Sequence, residues 1–299
     1  MKTARTAADI AALAQLACLL EVSAPKPGNV SPGRHFADLT YEDFLTSAVA
    51  IGPAFTRIAD HGVGETIRQA VDVTACWTKT NTNLGIVLLL APLATAAARV
   101  PVGGSAVGGS EDPPLRRALR EVLAETTVED ARQVYAAIRR ARPGGLGRAE
   151  SQDVGAEPDV TLLEAMRLAA DRDGIAREYD TAFAATFDTG VPALRQARAD
   201  GLGWDDAIVE AFLTLLAAAP DTHIARRAGL DRATSVSRLA VSVLADGGVR
   251  SDAGRLSVAR FDRSLRDDRH SANPGTTADL TAAATFVMLL EGGWGRGRS

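Results

Sequence analysis

The sequence has little that would tie it to nucleic acid, to a membrane or to an oxidising compartment. Two cysteines, Cys18 and Cys76, lie in apolar helical patterns without zinc-site spacing, so we expect reduced core thiols and a cytoplasmic protein. A net charge of −4 gives no basis for binding nucleic acid. The most apolar run, 84–98, is shorter than the roughly 20 residues that span a bilayer. We therefore expect a buried helix there, no membrane association and no export signal.

Strand-forming patterns are also scarce. No segment alternates polar and apolar residues with enrichment in Val, Ile or Thr, whereas three-to-four spacing of apolar residues recurs, as in 6–22. Hydrophobic residues make up 46% of the chain and charged residues 23%, which is typical of globular proteins. We predict an all-α fold, with one multi-helix, bundle-like domain over 1–299 and mobile loops near 101–114 and 142–158.

Lysine is scarce and occurs only at Lys2, Lys26 and Lys79. Lys26 stands between two prolines in 21–38, a stretch whose prolines and glycines exclude a regular helix. Such a stiff loop could present Lys26, Asn29, His35 and Asp38 to an anionic ligand with little entropy left to lose. The alternative is a plain connector between helices, although such connectors are usually shorter.

A second polar stretch, 79–85, precedes the most apolar predicted helix. Asn83 can cap that helix, and its free backbone amides attract anions. Asn81 and Thr82 add further donors and acceptors that a cap alone does not require. We therefore weigh a ligand-binding role for this stretch against capping.

Two more polar stretches occur in the last third of the chain. Asp221 either caps the short helix after Pro220 or binds a ligand hydroxyl or a metal, with Arg227 available for phosphate. Near the C-terminal end, Thr276 and Thr277 follow Pro-Gly at the start of an apolar helix, an arrangement that suits either a cap or a phosphate cradle. Asp279 would then lie one turn inside that helix.

Taken in order, these stretches resemble the motifs of the triphosphoribosyl-dephospho-coenzyme A synthase family. Members show Pro-Lys-Pro-Gly after a first helix, Asn-Thr-His-Lys-Gly before an apolar helix, Asp-Thr with a later Arg, and Ser-Pro-Gly-Gly-Ser-Ala-Asp-Leu near the end. The corresponding residues here are 25–28, 81–85, 221–222 with Arg227, and 273–280. Asn83-Leu84 replace the His-Lys pair and Thr276-Thr277 replace the Gly-Ser pair, which indicates a divergent branch with its acceptor substrate in question.

The resemblance implies a pentosyltransferase for coenzyme or prosthetic-group biosynthesis. The 2′-hydroxyl of 3′-dephospho-coenzyme A, or of a related acceptor, would attack C1′ of the ATP ribose and release adenine. The implied substrate-binding residues are Lys26, Asn29, Asn81, Thr82, Asn83, Arg227, Thr276 and Thr277. Asp221 and Asp279 would hold Mg²⁺, Asp38 or Glu65 would act as the base, and His35 is the second choice for proton transfer.

Two other functions fit the same residues. A Mg²⁺-dependent hydrolase of nucleotides or ADP-ribosyl compounds would direct water rather than an alcohol to C1′. A non-catalytic nucleotide-binding protein would keep the pocket without the family's lysine, whose place Leu84 takes. The sequence leaves the pathway and the oligomeric state open, with a homodimer among the options.

Overall fold

The structure, a computed structural model, describes residues 5–101, 112–145, 147, 149, 151–267 and 269–292. Within these residues the regular structure is helical, and two isolated β-bridges lie in the loop after the first helix. The all-α prediction is confirmed. Much of the predicted loop near 101–114 lies outside the described residues, as do three positions of the loop near 142–158.

In chain order the helices are α1 (Ala7–Ser23), α2 (Tyr41–Ala50), α3 (Gly52–Phe55), α4 (Val63–Trp77), α5 (Leu84–Arg99), α6 (Pro114–Ala124), α7 (Val128–Ala141), α8 (Leu162–Ala169), α9 (Gly174–Thr181), a π-helix (Ala185–Gly190), α10 (Val191–Ala199), α11 (Trp204–Ala218), α12 (Thr222–Ala228), α13 (Leu230–Ala245), α14 (Asp252–Leu265) and α15 (Gly275–Leu290). Long connections separate α1 from α2, α5 from α6 and α7 from α8, whereas most of the other helices follow one another closely.

Capping residues fix many of these starts. Thr40 and Thr127 each accept a hydrogen bond from the amide three residues on, while the aspartate at that position bonds back to the threonine amide. Both capping boxes use a threonine followed three residues later by an acidic side chain, a local pattern that is visible in the sequence. Ala182 and Phe183 adopt positive φ angles of 50° and 62°, which end α9 at Thr181 and separate it from the π-helix that begins at Ala185.

Two buried clusters form the core. The larger surrounds α5 and α15, whose side chains are buried almost throughout, and the smaller lies among α10 to α14. Helix α15 packs against both α1 and α11 and so contacts both clusters. Cys18 is buried as predicted, but the expectation of a core position for Cys76 is wrong, since it is exposed on α4.

Membrane-spanning helices were searched for in the described part of the chain. No individual helix there has both the length and the apolar composition to cross a bilayer. Helices α11 and α12 satisfy the criterion only when counted together, and they bend by 61° at the break between them.

Candidate functional site

A cleft of about 1370 Å³ opens where the polar stretches of the sequence meet. Residues from 21–44, 75–88, 138–176, 223–227 and 269–279 line it. Eight of the residues singled out in the sequence are among them: Asn29, Asp38, Asn81, Thr82, Asn83, Arg227, Thr276 and Asp279. Five others do not line it: Lys26, His35, Glu65, Asp221 and Thr277.

Lys26 lies behind the cleft wall and is 1% exposed. Its ammonium forms an ion pair with Glu21 Oε1 at 2.9 Å, and it also donates to the carbonyls of Glu21 and Ala24. These contacts use all three of its donors. The side chain that reaches the cleft is therefore Glu21, which Lys26 holds in place at the end of α1.

The loop around Lys26 is pinned from the other side by α14. Gly28, at φ 75°, donates its amide to Asp262 Oδ1 at 2.8 Å. Asp262 is buried and also binds Arg34 and Arg266. A Cβ at position 28 would crowd Leu265 and Pro274, so glycine is required there by both its φ and its packing.

Two of the three predicted proton-transfer residues lie away from the cleft. His35 is exposed, and its Nδ1 accepts a hydrogen bond from the amide of Tyr41 at the start of α2. Glu65 is exposed in the first turn of α4, where it contacts His61 and Gln69. Asp38 is exposed at the cleft rim and is the only one of the three that the structure brings to the site.

The start of α5 forms one wall of the cleft, with a different cap from the one predicted. Asn81 Oδ1 accepts the hydrogen bond from the amide of Leu84 at 3.1 Å. Asn83 makes no capping bond and instead donates to Thr74 Oγ1 at 3.1 Å. The prediction that the Asn83 side chain caps α5 is therefore wrong, because its carboxamide points towards Thr74 of α4.

Asp221 links two helices. Its Oδ1 accepts from the amide of Ile224 at 3.0 Å, which caps α12. Its Oδ2 accepts from the amide and the hydroxyl of Thr277, both at 2.7 Å, at the start of α15. The side chain is 2% exposed, and burial raises its pKa. Both oxygens are thus occupied behind the cleft surface, and this arrangement does not offer Asp221 to a metal ion.

Asp279 faces the cleft without a partner. No hydrogen bond or ion pair from the described residues reaches its carboxylate, which lies against Gly85 at the start of α5, where a Cβ would overlap Oδ2. Burial raises its pKa well above the usual range, and the charges of Glu21 and Asp221 add to the effect. Among the described residues, no group of three or more His, Cys, Asp or Glu side chains is placed to hold a metal ion.

The sequence reasoning missed the basic side of the cleft. Five further arginines line it: Arg140, Arg142, Arg172, Arg226 and Arg269. Arg226 pairs with Asp173, while its buried Nε has no partner. Arginine carries nearly all of the positive charge in this chain, so no single arginine is conspicuous in the sequence.

Two histidines were also missed. His223 lines the cleft beside Gly275, and burial, followed by the charges of Arg226 and Arg227, lowers its pKa to about 4. It is therefore uncharged at neutral pH. His270 stacks on Phe36 with ring centroids 3.9 Å apart. The only sequence signal for His270 as a site residue is its position in the polar stretch before α15.

Comparison with known proteins gives a consistent result. The model of the ATP:dephospho-CoA triphosphoribosyl transferase family matches residues 7–298. A protein of Pseudomonas savastanoi pv. phaseolicola, described as a probable 2-(5''-triphosphoribosyl)-3'-dephosphocoenzyme-A synthase, is 28% identical over 99% of this chain and 96% of its own. One with the same description from Azotobacter vinelandii is 30% identical over 89% of this chain and 86% of its own.

A solved structure shows the same fold. The protein from Archaeoglobus fulgidus, described as a triphosphoribosyl-dephospho-coA synthase, superposes with a TM-score of 0.63 at 27% identity and covers 83% of this chain and 99% of its own. The family match extends over nearly the whole chain, and relatives and fold agree with it. The chain therefore belongs to the ATP:dephospho-CoA triphosphoribosyl transferase family and is a transferase.

Proposed function

We propose that the protein transfers the triphosphoribosyl group of ATP to the 2′-hydroxyl of 3′-dephospho-coenzyme A, or of a closely related acceptor, and releases adenine. The observation that carries the proposal is one continuous cleft that collects residues from all four polar stretches of the sequence, 21–38, 79–85, 221–227 and 273–280. Its volume of about 1370 Å³ exceeds the roughly 300–1,000 Å³ of pockets for one small molecule. Two nucleotides therefore fit the cleft better than one.

The basic side of the cleft suits the polyphosphates of both substrates. One guanidinium group can donate to two phosphate oxygens at once, and it keeps its charge at any physiological pH. Arg172, Arg227 and Arg269 line the cleft and come from three different segments of the chain. They supply positive charge to the cleft, which the buried Lys26 does not. They also compensate for Leu84, which stands where the family has a lysine.

The acidic side suits the reacting carbon. Breaking the bond between C1′ and adenine leaves positive charge on the ribose, which carboxylates stabilise when they are fixed in advance. Glu21 is held by Lys26, and Asp38 lies at the rim. Of the predicted bases, we assign proton removal from the acceptor hydroxyl to Asp38.

Of the two predicted Mg²⁺ ligands, Asp279 and Asp221, only Asp279 suits the ion. In nucleotide sites Mg²⁺ commonly takes one or two carboxylates together with substrate phosphates. The open carboxylate of Asp279 fits that role, whereas the occupied carboxylate of Asp221 does not. When bound, the ion would neutralise charge on the triphosphate.

The test is to incubate the protein with ATP, Mg²⁺ and dephospho-coenzyme A and to analyse the products by liquid chromatography and mass spectrometry. We expect free adenine and a coenzyme derivative heavier by one triphosphoribosyl group. Asp38→Asn should slow this reaction at least tenfold, while Glu65→Gln, which changes an exposed carboxylate outside the cleft, should not. Free ribose triphosphate would indicate a hydrolase, and ATP binding without any product would indicate a nucleotide-binding protein.

A further inference from the structure

One corner of the cleft holds polar atoms that the protein itself does not use. Phe36, His270 and Asn273 meet there, and we call these three residues the base corner. The rings of Phe36 and His270 are stacked, with an interplanar angle of 20°. Nδ1 and Nε2 of His270 and Oδ1 of Asn273 are all buried without a hydrogen-bond partner among the described residues.

The corner is held in shape by its surroundings. Asp267 accepts hydrogen bonds from the amides of Arg269 and Ser271, at 3.0 and 2.9 Å. Arg227 braces the same turn by donating to the carbonyl of Arg269 at 2.8 Å. His270 adopts a φ of 49°, a strained value for a residue other than glycine. The loop is thus fixed in a conformation that leaves the two ring nitrogens of His270 and Oδ1 of Asn273 unsatisfied.

Unsatisfied buried polar atoms disfavour folding, so a ligand that pairs with them gains affinity. An uncharged imidazole offers one donor and one acceptor, and the amide oxygen offers an acceptor. A phosphate presents only acceptors, so it does not match this set. The edge of an adenine ring does match, because an amino donor stands beside ring-nitrogen acceptors, and aromatic rings provide a surface for stacking.

We infer that the base corner binds the adenine ring of a substrate nucleotide. The carboxamide of Asn273 accepts a hydrogen bond from the exocyclic amino group, and His270 donates to a ring nitrogen while Phe36 supports the imidazole. The inference rests on the proposed function for the identity of the nucleotides. Both ATP and dephospho-coenzyme A carry adenine, so the experiment has to separate them.

The experiment measures dissociation constants by isothermal titration calorimetry on the full chain. The ligands are ATP, dephospho-coenzyme A and purine riboside triphosphate, which lacks the exocyclic amino group. Asn273→Ala should weaken one of the two adenine ligands about tenfold or more. If that ligand is ATP, purine riboside triphosphate should bind the variant as it binds the unchanged protein. A loss for ATP assigns the corner to the donor, and a loss for dephospho-coenzyme A assigns it to the acceptor.

Two further variants complete the test. Asn273→Asp keeps an acceptor and should retain the preference for ATP over the analogue if ATP occupies the corner. His61→Ala removes a buried histidine that also has an unpartnered nitrogen but lies outside the cleft, and it should leave all three constants unchanged. Thermal melting followed by circular dichroism checks that each variant is folded.

The inference is overturned if both adenine ligands bind Asn273→Ala as they bind the unchanged protein, or if ATP and its analogue lose affinity equally. These outcomes are independent of catalysis. A protein that binds adenine nucleotides through the base corner but releases no adenine would contradict only the proposed function. A protein that releases adenine with its base preference intact in Asn273→Ala would contradict only the inference.

Discussion

The carboxyl group of Asp279 lies where its charge is disfavoured. Its pKa is raised in the folded protein, so the folded state binds this proton more tightly than the unfolded state does. The resulting penalty is absent below the ordinary pKa of 3.8, grows as the pH rises from there to the raised value, and stays constant above it. If a bound ligand pairs with this carboxylate, the folded protein should be less stable without the ligand than with it.

Replacing Asp279 by Asn should therefore stabilise the ligand-free protein. With EDTA present, we expect its melting temperature to rise by about 2–4 °C at pH 8 and to stay nearly unchanged at pH 4. Adenine release should fall at the same time. Differential scanning calorimetry at the two pH values provides the check. A lower melting temperature at pH 8 would show that the carboxylate makes stabilising contacts.

Lys26 and Glu21 provide a second prediction at this scale. Lys26→Met should lower the free energy of unfolding by about 3–5 kcal/mol, because it leaves the buried Glu21 carboxylate without its cation. The double variant Glu21→Leu with Lys26→Met should recover much of that loss. Urea denaturation gives both values. Unchanged stability with weakened ATP binding would instead support the direct phosphate contact predicted from the sequence.

The sequence identified candidate site residues but not the contacts that their side chains make. Lys26 was conspicuous between its prolines, yet its donors face Glu21 and two carbonyls of its own loop. Asn81 and Asn83 exchange their expected tasks because Thr74, on another helix, offers Asn83 a partner. Such choices depend on tertiary neighbours, which local spacing does not reveal.

Among the helices, Asp221 determines how α12 and α15 meet. Asp221→Ala removes caps from two helices at once and leaves the buried amide of Thr277 unsatisfied. We expect a loss of about 2–4 kcal/mol, with each cap contributing about 1–2 kcal/mol. Ser251→Ala, which removes the cap of α14 alone, should cost about half as much in urea denaturation. Equal stability of Asp221→Ala and the unchanged protein, with weaker Mg²⁺ binding, would restore Asp221 as a metal ligand.

Helix positions were mostly predictable, since apolar spacing and capping boxes are local signals. The break after α9 was not. The buried Glu178 carboxylate accepts from the amides of Ala185 and Thr186, both at 2.9 Å, and so stabilises the start of the π-helix. Two residues with positive φ precede it. The segment 178–187 contains neither glycine nor proline, so its sequence predicts a continuous helix unless that contact is known.

Over the whole molecule, the site is assembled from parts that are distant in the chain. Hydrogen exchange measured by mass spectrometry should therefore show slower exchange in 21–44, 75–88, 138–176, 223–227 and 269–279 together when ATP and a dephospho-coenzyme A analogue are bound. Slower exchange in one stretch alone would contradict a shared cleft. The smaller core around α13, away from the cleft, serves as the internal reference.

The convergence of the four motif stretches was predictable only through their resemblance to the family, because nothing in their spacing brings them together. The arginine side of the cleft was not foreseen. Arg140 and Arg142 lie at the end of α7 and just after it, and Arg172 follows α8. None of the four motifs falls in this part of the chain, and only the folded structure shows that these arginines line the cleft.

The continuity of the cleft has a pharmacological consequence. Because donor and acceptor would share one open space of about 1370 Å³, a single molecule can imitate both at once. Two adenosines tethered by a chain of phosphates would lay their linker along the arginines and compete with either substrate. A series of dinucleoside polyphosphates with increasing numbers of phosphates would then measure the distance between the two nucleoside sites, because the tightest inhibitor is the one whose linker matches that distance.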